Sequence, residues 1–200
     1  MKYPFLASFL VLCALFYYEN RKSTKKWAKA KQDFIDKEIE ANNTRKKPLD
    51  DVKYISIPLD ELPMDKFLDD DIISECIKDI NSLKDEPIAN FTGITNTDLK
   101  LMYGPANLPH LQRCDQSFAF LVKTLQAWAE QLLELKDETD AIKILEYAVS
   151  IDTDISSSYY LLAKHYKDNN KSDKIDALIE KAESINSIHK DVIVRHLKEF

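Results

Sequence analysis

An internal similarity at a step of 34 residues is the feature that most restricts what this chain can fold into. When residues 125–148 are moved forward by this step, seven apolar or small positions fall on seven others. The pairs are Leu125/Tyr159, Trp128/Leu162, Ala129/Ala163, Leu132/Tyr166, Ala141/Ile175, Leu145/Ile179 and Ala148/Ala182. A repeated unit with two apolar runs predicts a helical hairpin, whose apolar face can be buried only against neighbouring elements.

Glycine is scarce, which agrees with a helical chain. Only Gly93 and Gly104 occur among the 200 residues. Long apolar-periodic runs with almost no glycine favour a mostly helical protein over a turn-rich β-protein. The sequence therefore predicts a fold class that is all-α in the main.

The spacing of bulky and small residues within each unit resembles the tetratricopeptide repeat (TPR), a family of helix-turn-helix units of 34 residues. The first unit, about 122–155, carries the apolar and small positions of the family, with Trp128 as a bulkier variant. The second unit, about 156–189, departs at Ile175, where the family prefers a small residue. Thr153 and Ser187 stand where the family has a closing proline.

The resemblance implies a TPR-like domain over residues 112–200, with a capping helix at 190–200. Ala141 is expected to contact the preceding helix of its hairpin, and Ala148 the helix that follows. The first helix is expected to begin early, near Asp115, which would lengthen it toward the middle of the chain. Two repeats rarely bury enough surface alone, so flanking caps are expected on both sides.

The middle of the chain, residues 48–111, is expected to be a mixed extended and helical segment that caps the first unit. Val52–Ile57 is the best strand candidate, because β-branched and aromatic residues are frequent in it and Pro58 follows. The alternative is an extended segment that lies against the helical body. The stretch 72–83 predicts an amphipathic helix with three aspartates, 69–71, at its start, where acids complement the helix dipole. A shorter helix is predicted from Asn96 or Thr97 to Gly104.

Members of the family usually bind ligands on a concave face built from the first helix of each hairpin. On this chain the candidate face carries Lys123, Gln126, Glu130, Tyr160, Lys164 and Lys167, and its expected ligand is a protein or peptide. Some relatives clamp a peptide carboxylate with lysines and asparagines, but Leu161 and Glu130 occupy two of those asparagine positions here. The clamp is not carried over, and a solvated surface remains the alternative for these charges.

The run from Tyr3 to Tyr18 carries no charge and predicts a single transmembrane anchor over residues 1–20. As a helix it spans roughly 24 Å, somewhat less than a hydrocarbon core of about 30 Å. A cleaved signal peptide is the competing interpretation, but the residues that follow lack a small-x-small cleavage site. A buried core helix is the third.

A basic charged linker is predicted over residues 21–47. Residues 1–47 hold 11 Lys+Arg against 5 Asp+Glu, whereas the rest of the chain holds 17 against 29. Because lysine and arginine accumulate on the cytoplasmic side of a membrane, the cluster from Arg21 to Lys31 predicts a single-pass protein with a cytoplasmic body. Lys2 and the terminal amine favour the opposite orientation.

Several function classes find no support in the sequence. The acidic body argues against nucleic-acid binding, which needs a basic face. The four histidines form no metal motif, and no glycine-rich phosphate loop, nucleophile elbow or Cys–His pair is evident. The three cysteines suit neither a disulfide framework nor a zinc site. We therefore expect no enzyme, no cofactor, no metal and no small-molecule substrate.

The function expected on these grounds is a membrane-tethered scaffold or adaptor that mediates protein–protein interaction. Two alternatives remain open. The first is a structural subunit of a membrane complex, in which the repeats serve only assembly. The second is an unrecognised enzyme, or a lipid-head-group binder that uses the basic stretch next to the apolar run.

Overall fold

A computed structural model of the chain describes the backbone of residues 4–200 and the side chains of residues 8–200. Over this range the fold is all-helical, as predicted. The α-helices, numbered in chain order, are α1 (Pro4–Asn43), α2 (Asp71–Ser82), α3 (Asn96–Tyr103), α4 (Leu108–Glu134), α5 (Glu138–Ser150), α6 (Ser156–Asp168), α7 (Ser172–Ser184) and α8 (Lys190–Leu197). A single 3₁₀ turn, Pro105–Asn107, joins α3 to α4.

The helix pairs α4–α5 and α6–α7 reproduce the 34-residue step of the sequence. α4 and α6 end at Glu134 and Asp168, and α5 and α7 begin at Glu138 and Ser172. α4 differs only at its start, since it begins at Leu108 rather than near Asp115. Pro109 lies in its first turn, where a proline leaves no intrahelical hydrogen bond unmade and favours the helical φ.

The turn inside each hairpin is also repeated. Lys136 and Asn170, which are 34 residues apart, both take left-handed backbone angles, with φ of 63° and 55°. The amide of Asp137 then donates to the carbonyl of Leu132 at 2.9 Å, and the equivalent bond in the second hairpin measures 2.8 Å. This closing bond belongs to the Schellman arrangement, which satisfies carbonyls at the end of a helix. Both turns form without glycine, in agreement with the low glycine content of the chain.

Small residues lie where the helices of the hairpins meet. Five alanines in α4–α7 are fully buried: Ala129, Ala141, Ala148, Ala163 and Ala182. Ile175 replaces the alanine of the first unit and is 9% exposed, while Ile179 is only partly buried. The second hairpin therefore buries a bulkier side chain at this contact than the alanine of the first.

α2 and α8 cover the two ends of the hairpin array. α2 packs against α4, and its buried residues are Ile73, Cys76, Ile77 and Ile80. Of the aspartates predicted at its start, Asp70 is the N-cap residue. Its carboxylate accepts bonds from the amides of Ile72 and Ile73, both at 3.0 Å. α8 packs against both α6 and α7. The apolar faces of the two hairpins are thus shielded at both ends.

The strand predicted at Val52–Ile57 does not form. The segment is extended, but within the described residues its only ladder contact is one antiparallel bridge between Tyr54 and Ala89. The alternative, an extended segment packed against the helical body, describes it instead, because the apolar side chains of Ile55 and Ile57 pack against the core. β-Propensity reflects the fit to a half-buried surface, and helices supply that surface here.

α1 is one uninterrupted helix of 40 residues, which is about 60 Å long at the usual rise per residue. The anchor predicted over residues 1–20 begins outside the described residues, and the remainder of it forms the first turns of α1. Within the part of the chain that the structure describes, no helix combines the length and the apolar character needed to cross a membrane. The linker predicted over 21–47 is helical as far as Asn43.

The last turns of α1 are docked onto α3. Ala41 is fully buried there. Lys37 Nζ lies 2.7 Å from a carboxylate oxygen of Asp98, and Glu38 forms an ion pair with Lys100. These contacts fix the direction in which α1 leaves the body.

Gly104 lets the chain that follows α1 pass close to the end of α3. Its φ is 87°, and a Cβ at this position would lie 2.6 Å from the carbonyl oxygen of Arg45. The amide of Lys47 donates to the carbonyl of Tyr103 at 3.0 Å, and the side-chain amide of Asn107 donates to the carbonyl of Lys47 at 2.8 Å. The segment after α1 is therefore held against the body by backbone hydrogen bonds.

Asp140, in the first turn of α5, is almost fully buried but has two cationic partners. Lys143 Nζ lies 2.7 Å from one carboxylate oxygen, and Lys66 Nζ bonds the other. Burial by itself raises the pKa of Asp140, but hydrogen bonds and charge from the two lysines outweigh it, so the pKa lies below its ordinary value. Since Lys66 comes from the segment before α2, the pair ties that segment to α5.

We expect Asp140→Asn to destabilise the fold near neutral pH by about 1–3 kcal/mol, because bonds to a charged group are lost. The folded pKa lies below the unfolded value of about 3.9, so the stabilisation is present above that pH and is lost as pH falls through the folded pKa. Urea unfolding at a series of pH values should therefore show the gap between variant and wild type closing only in acid. A gap of equal size at about pH 7 and about pH 2 would contradict this, and Asp173→Asn in the exposed first turn of α7 is the matched control.

Candidate functional site

A groove between α4 and α6 is the best-formed open surface on the face that the sequence analysis assigned to ligand binding. Its volume is about 510 Å³. Its lining combines apolar and polar side chains, which are Leu133, Tyr160, Leu161, Glu130, Glu134 and Ser157. Two of the six predicted site residues, Glu130 and Tyr160, are therefore brought together here.

Gln126 lies beneath the groove rather than on its surface. Only 7% of it is exposed. Its side-chain oxygen accepts a bond from Ser158 Oγ at 2.5 Å, and its side-chain nitrogen donates to Glu130 at 2.7 Å. The amide of Gln126 therefore joins α4 to α6 and orients Glu130 at the rim.

The other predicted residues are spread along the same face. The ring of Tyr160 packs edge-on against His196 of α8, with centroids 4.1 Å apart. Lys167 Nζ lies 5.3 Å from the centroid of the Phe200 ring. Lys123 and Lys164 are exposed and do not line the groove. The C-terminal residues thus engage one end of the predicted face and leave the α4–α6 groove open.

Four of the groove residues were absent from the predicted set, and one of them, Leu161, was noted only as occupying a clamp position. Leu133 and Glu134 follow Glu130 by three and four residues, so they share its face of α4. Extending the predicted row by one helical turn would have found them. Ser157 precedes Tyr160 by three residues on α6 and could have been found in the same way.

The chemistry of the groove is mixed. Leu133, Leu161 and the ring of Tyr160 offer an apolar surface, which binds apolar side chains by excluding water. Glu130 and Glu134 lie one turn apart and place two carboxylates on the rim. A ligand that matches both features carries apolar side chains next to a cation.

A second groove, of about 490 Å³, lies between the extended segment 53–56 and the turns that follow α5 and α7. Several of its polar groups already have partners. The side chain of Asn90 donates to the carbonyl of Asp152 at 3.0 Å, and the carboxylate of Asp152 lies 2.6 Å from Lys181 Nζ. Asn186 donates to the carbonyl of Thr92 at 3.2 Å. These groups hold loops together, and the α4–α6 groove is the better candidate for a ligand.

A contact between His110 and Cys114 was not predicted, although the two residues are four apart in the sequence. Cys114 Sγ lies 3.6 Å from His110 Nε2, which also lies 3.1 Å from the hydroxyl of Tyr54. Burial raises the pKa of the Cys114 thiol, so the sulfur is held in its neutral form. Since the thiolate is the nucleophilic form, this pair is suited to packing and not to covalent catalysis.

Metal ligands do not converge in the described part of the molecule. Over that range, no group of three or more His, Cys, Asp or Glu side chains is placed to hold an ion. Among the aspartates 69–71, Asp70 caps α2 by accepting bonds from the amides of Ile72 and Ile73.

Comparisons of the chain with protein-family models, with curated proteins and with solved structures found no match. No matching protein is known from these comparisons whose ligand could suggest what the groove binds. What the groove could bind is therefore inferred from the side chains that line it.

Proposed function

We propose that this protein is a membrane-tethered scaffold or adaptor of the tetratricopeptide type, which binds a segment of another protein in the groove between α4 and α6. The observation that carries the proposal is the groove itself, an open and partly apolar surface between the first helices of successive hairpins. Stacked helical repeats typically bind their ligands on extended concave surfaces of this kind.

The partner segment is expected to be short and amphipathic. Leu133, Tyr160 and Leu161 suit one or two apolar side chains, and aromatic residues are frequent anchors in protein interfaces. Glu130 and Glu134 suit a lysine or arginine beside them, which would fix the register of the segment and speed its association.

The tether is the apolar beginning of α1. Phe9, Leu12 and Phe16 are all more than half exposed on this helix, so their apolar surface has no cover within the described chain. A lipid bilayer would bury it. The basic residues that follow favour a single-pass arrangement with the body on the cytoplasmic side.

A structural subunit of a membrane complex is a second candidate, and one observation favours it. Trp27 and Phe34 are 75% and 62% exposed on α1, well away from the groove. Large exposed aromatics in a row mark contact surfaces. In that case the main partner would meet α1 and not the α4–α6 groove.

Site-specific photo-cross-linking in native membranes tests the proposal and separates the two candidates. A photoreactive amino acid at Leu161 should capture a discrete partner protein, whereas one at Asp173, exposed on α7, should not. Glu134→Lys should weaken capture about two- to fivefold, the size expected when an exposed ion pair is lost. Asp173→Lys makes the same charge change away from the groove and should have no effect.

The outcomes are distinct. Capture at Leu161 that responds to Glu134→Lys supports an adaptor with a cationic ligand. Capture at Phe34 without capture at Leu161 supports the structural subunit and contradicts the groove as the binding site. If capture at Leu161 is unchanged by both charge reversals, the groove remains the binding site but the partner does not place a cation beside Glu134.

A further inference from the structure

Six basic residues lie on the part of α1 that extends beyond the body: Arg21, Lys22, Lys25, Lys26, Lys29 and Lys31. All six are exposed. No acidic residue lies among them, and no described side chain forms an ion pair with any of them, in contrast to Lys37 two turns further on, which lies 2.7 Å from Asp98. The cluster therefore has positive charge that the described fold leaves uncompensated.

One face of the cluster is turned away from the side of α1 that docks on the body. Glu38 and Ala41 mark the face of α1 that meets α3. Counted at about 100° per residue, Lys22, Lys25 and Lys29 lie on the opposite half of the helix surface. The body does not cover these side chains, and a flat partner could approach all three at once.

The head of the chain and the body also carry net charges of opposite sign. From the counts of 11 Lys+Arg and 5 Asp+Glu in residues 1–47, against 17 and 29 in the remainder, the head carries +6 and the rest −12. A negatively charged surface would attract the back of α1 and repel the body. Attraction of the basic face and repulsion of the body are compatible, because the two lie on opposite sides of α1.

The continuity of α1 limits how a surface can be reached. From Tyr18 to Lys29 the helix rises about 16 Å, which exceeds a screening length of about 8 Å in physiological salt. An upright helix would keep Lys29 out of range of a bilayer in which the apolar run is embedded. A helix tilted toward its basic face would bring Lys22, Lys25 and Lys29 to the headgroups together and lift the body away.

We propose that this basic face of α1 binds anionic phospholipid headgroups, on the membrane leaflet next to the body, with α1 tilted toward that leaflet. The proposal rests on the membrane tether of the proposed function and adds the class of lipid. Each lysine near an anionic surface strengthens binding about fivefold. The three lysines of one face should together give a preference of roughly a hundredfold.

A distribution experiment with the full chain tests this. The purified protein in mild detergent is offered neutral phosphatidylcholine vesicles and vesicles that also contain phosphatidylserine; detergent is removed, and the two populations are separated by flotation. The expected result is a strong preference for the anionic vesicles, which disappears at high salt. The triple variant Lys22→Gln, Lys25→Gln, Lys29→Gln should reduce the preference roughly a hundredfold.

Matched changes on the body provide the control. Lys78→Gln, Lys84→Gln and Lys136→Gln alter the net charge equally at exposed positions outside α1 and should keep the preference. Equal distribution of the wild type, or equal losses in both triple variants, would overturn the proposal while leaving the tether intact. Failure to bind either vesicle would overturn the tether as well.

Discussion

Ala148→Arg and Ala182→Arg are expected to destabilise the body by more than about 4 kcal/mol each. Both alanines are fully buried in the second helices of their hairpins. An inserted side chain overpacks a close helix contact, which typically costs about 1–3 kcal/mol, and the buried guanidinium adds a further penalty. For a chain of this size, a loss of that magnitude lowers the melting temperature by about 10 °C or more.

Ala127→Arg and Ala177→Arg are the matched controls, because both alanines are exposed on α4 and α7. They should stay within about 0.5 kcal/mol of the wild type. Lys143 is unsuitable as a neutral control, although more than half of its side chain is exposed, because it bonds the buried carboxylate of Asp140. Equal urea midpoints for the buried and exposed variants would contradict the helix packing described above.

Trp128→Ala is expected to cost about 3–5 kcal/mol. The side chain is fully buried in α4 and is the largest in the core. Its removal leaves a cavity between helices that are already held close by alanines, so the surroundings cannot collapse to fill it. Denaturant unfolding followed by circular dichroism would measure the loss.

The other tryptophan gives an internal control. Trp27 is 75% exposed on α1, and Trp27→Ala should change the stability by about 0.5 kcal/mol or less. Trp128→Phe should cost clearly less than Trp128→Ala, because the ring keeps most of the volume. It also removes an indole N–H that has no hydrogen-bond partner among the described residues. A larger loss for Trp27→Ala than for Trp128→Ala would refute the assignment of the core.

The helices of the repeat region could be predicted from the sequence because their signal is local and occurs twice. α5 and α7 each carry an apolar stripe and end at equivalent positions, Ser150 and Ser184. The sequence could not decide between a strand and an extended segment at Val52–Ile57, because pairing depends on a neighbouring strand that is distant in sequence. In the described structure the segment forms one isolated bridge, and Ile55 and Ile57 pack against the core.

The residues of the α4–α6 groove could be predicted only in part. Glu130 and Tyr160 were in the predicted set because the repeat alignment assigns residues of α4 and α6 to one face. The burial of Gln126 could not be predicted, because it depends on Ser158, 32 residues away, whose hydroxyl donates a hydrogen bond to the Gln126 side chain between α6 and α4. The contact of Tyr160 with His196 likewise depends on how α8 docks, which no short-range pattern reports.

The docked end of α1 makes this helix a lever arm. Between Tyr18 and Ala41 it measures about 35 Å, and Ala41 is buried against α3 with no hinge in the helix between them. A rotation of about 10° at the apolar end would then displace the body by roughly 6 Å, by simple geometry on that length. α3 in turn contacts α4, which forms one wall of the groove. A change in how the head of the chain is held would therefore change the position and the angle of the groove.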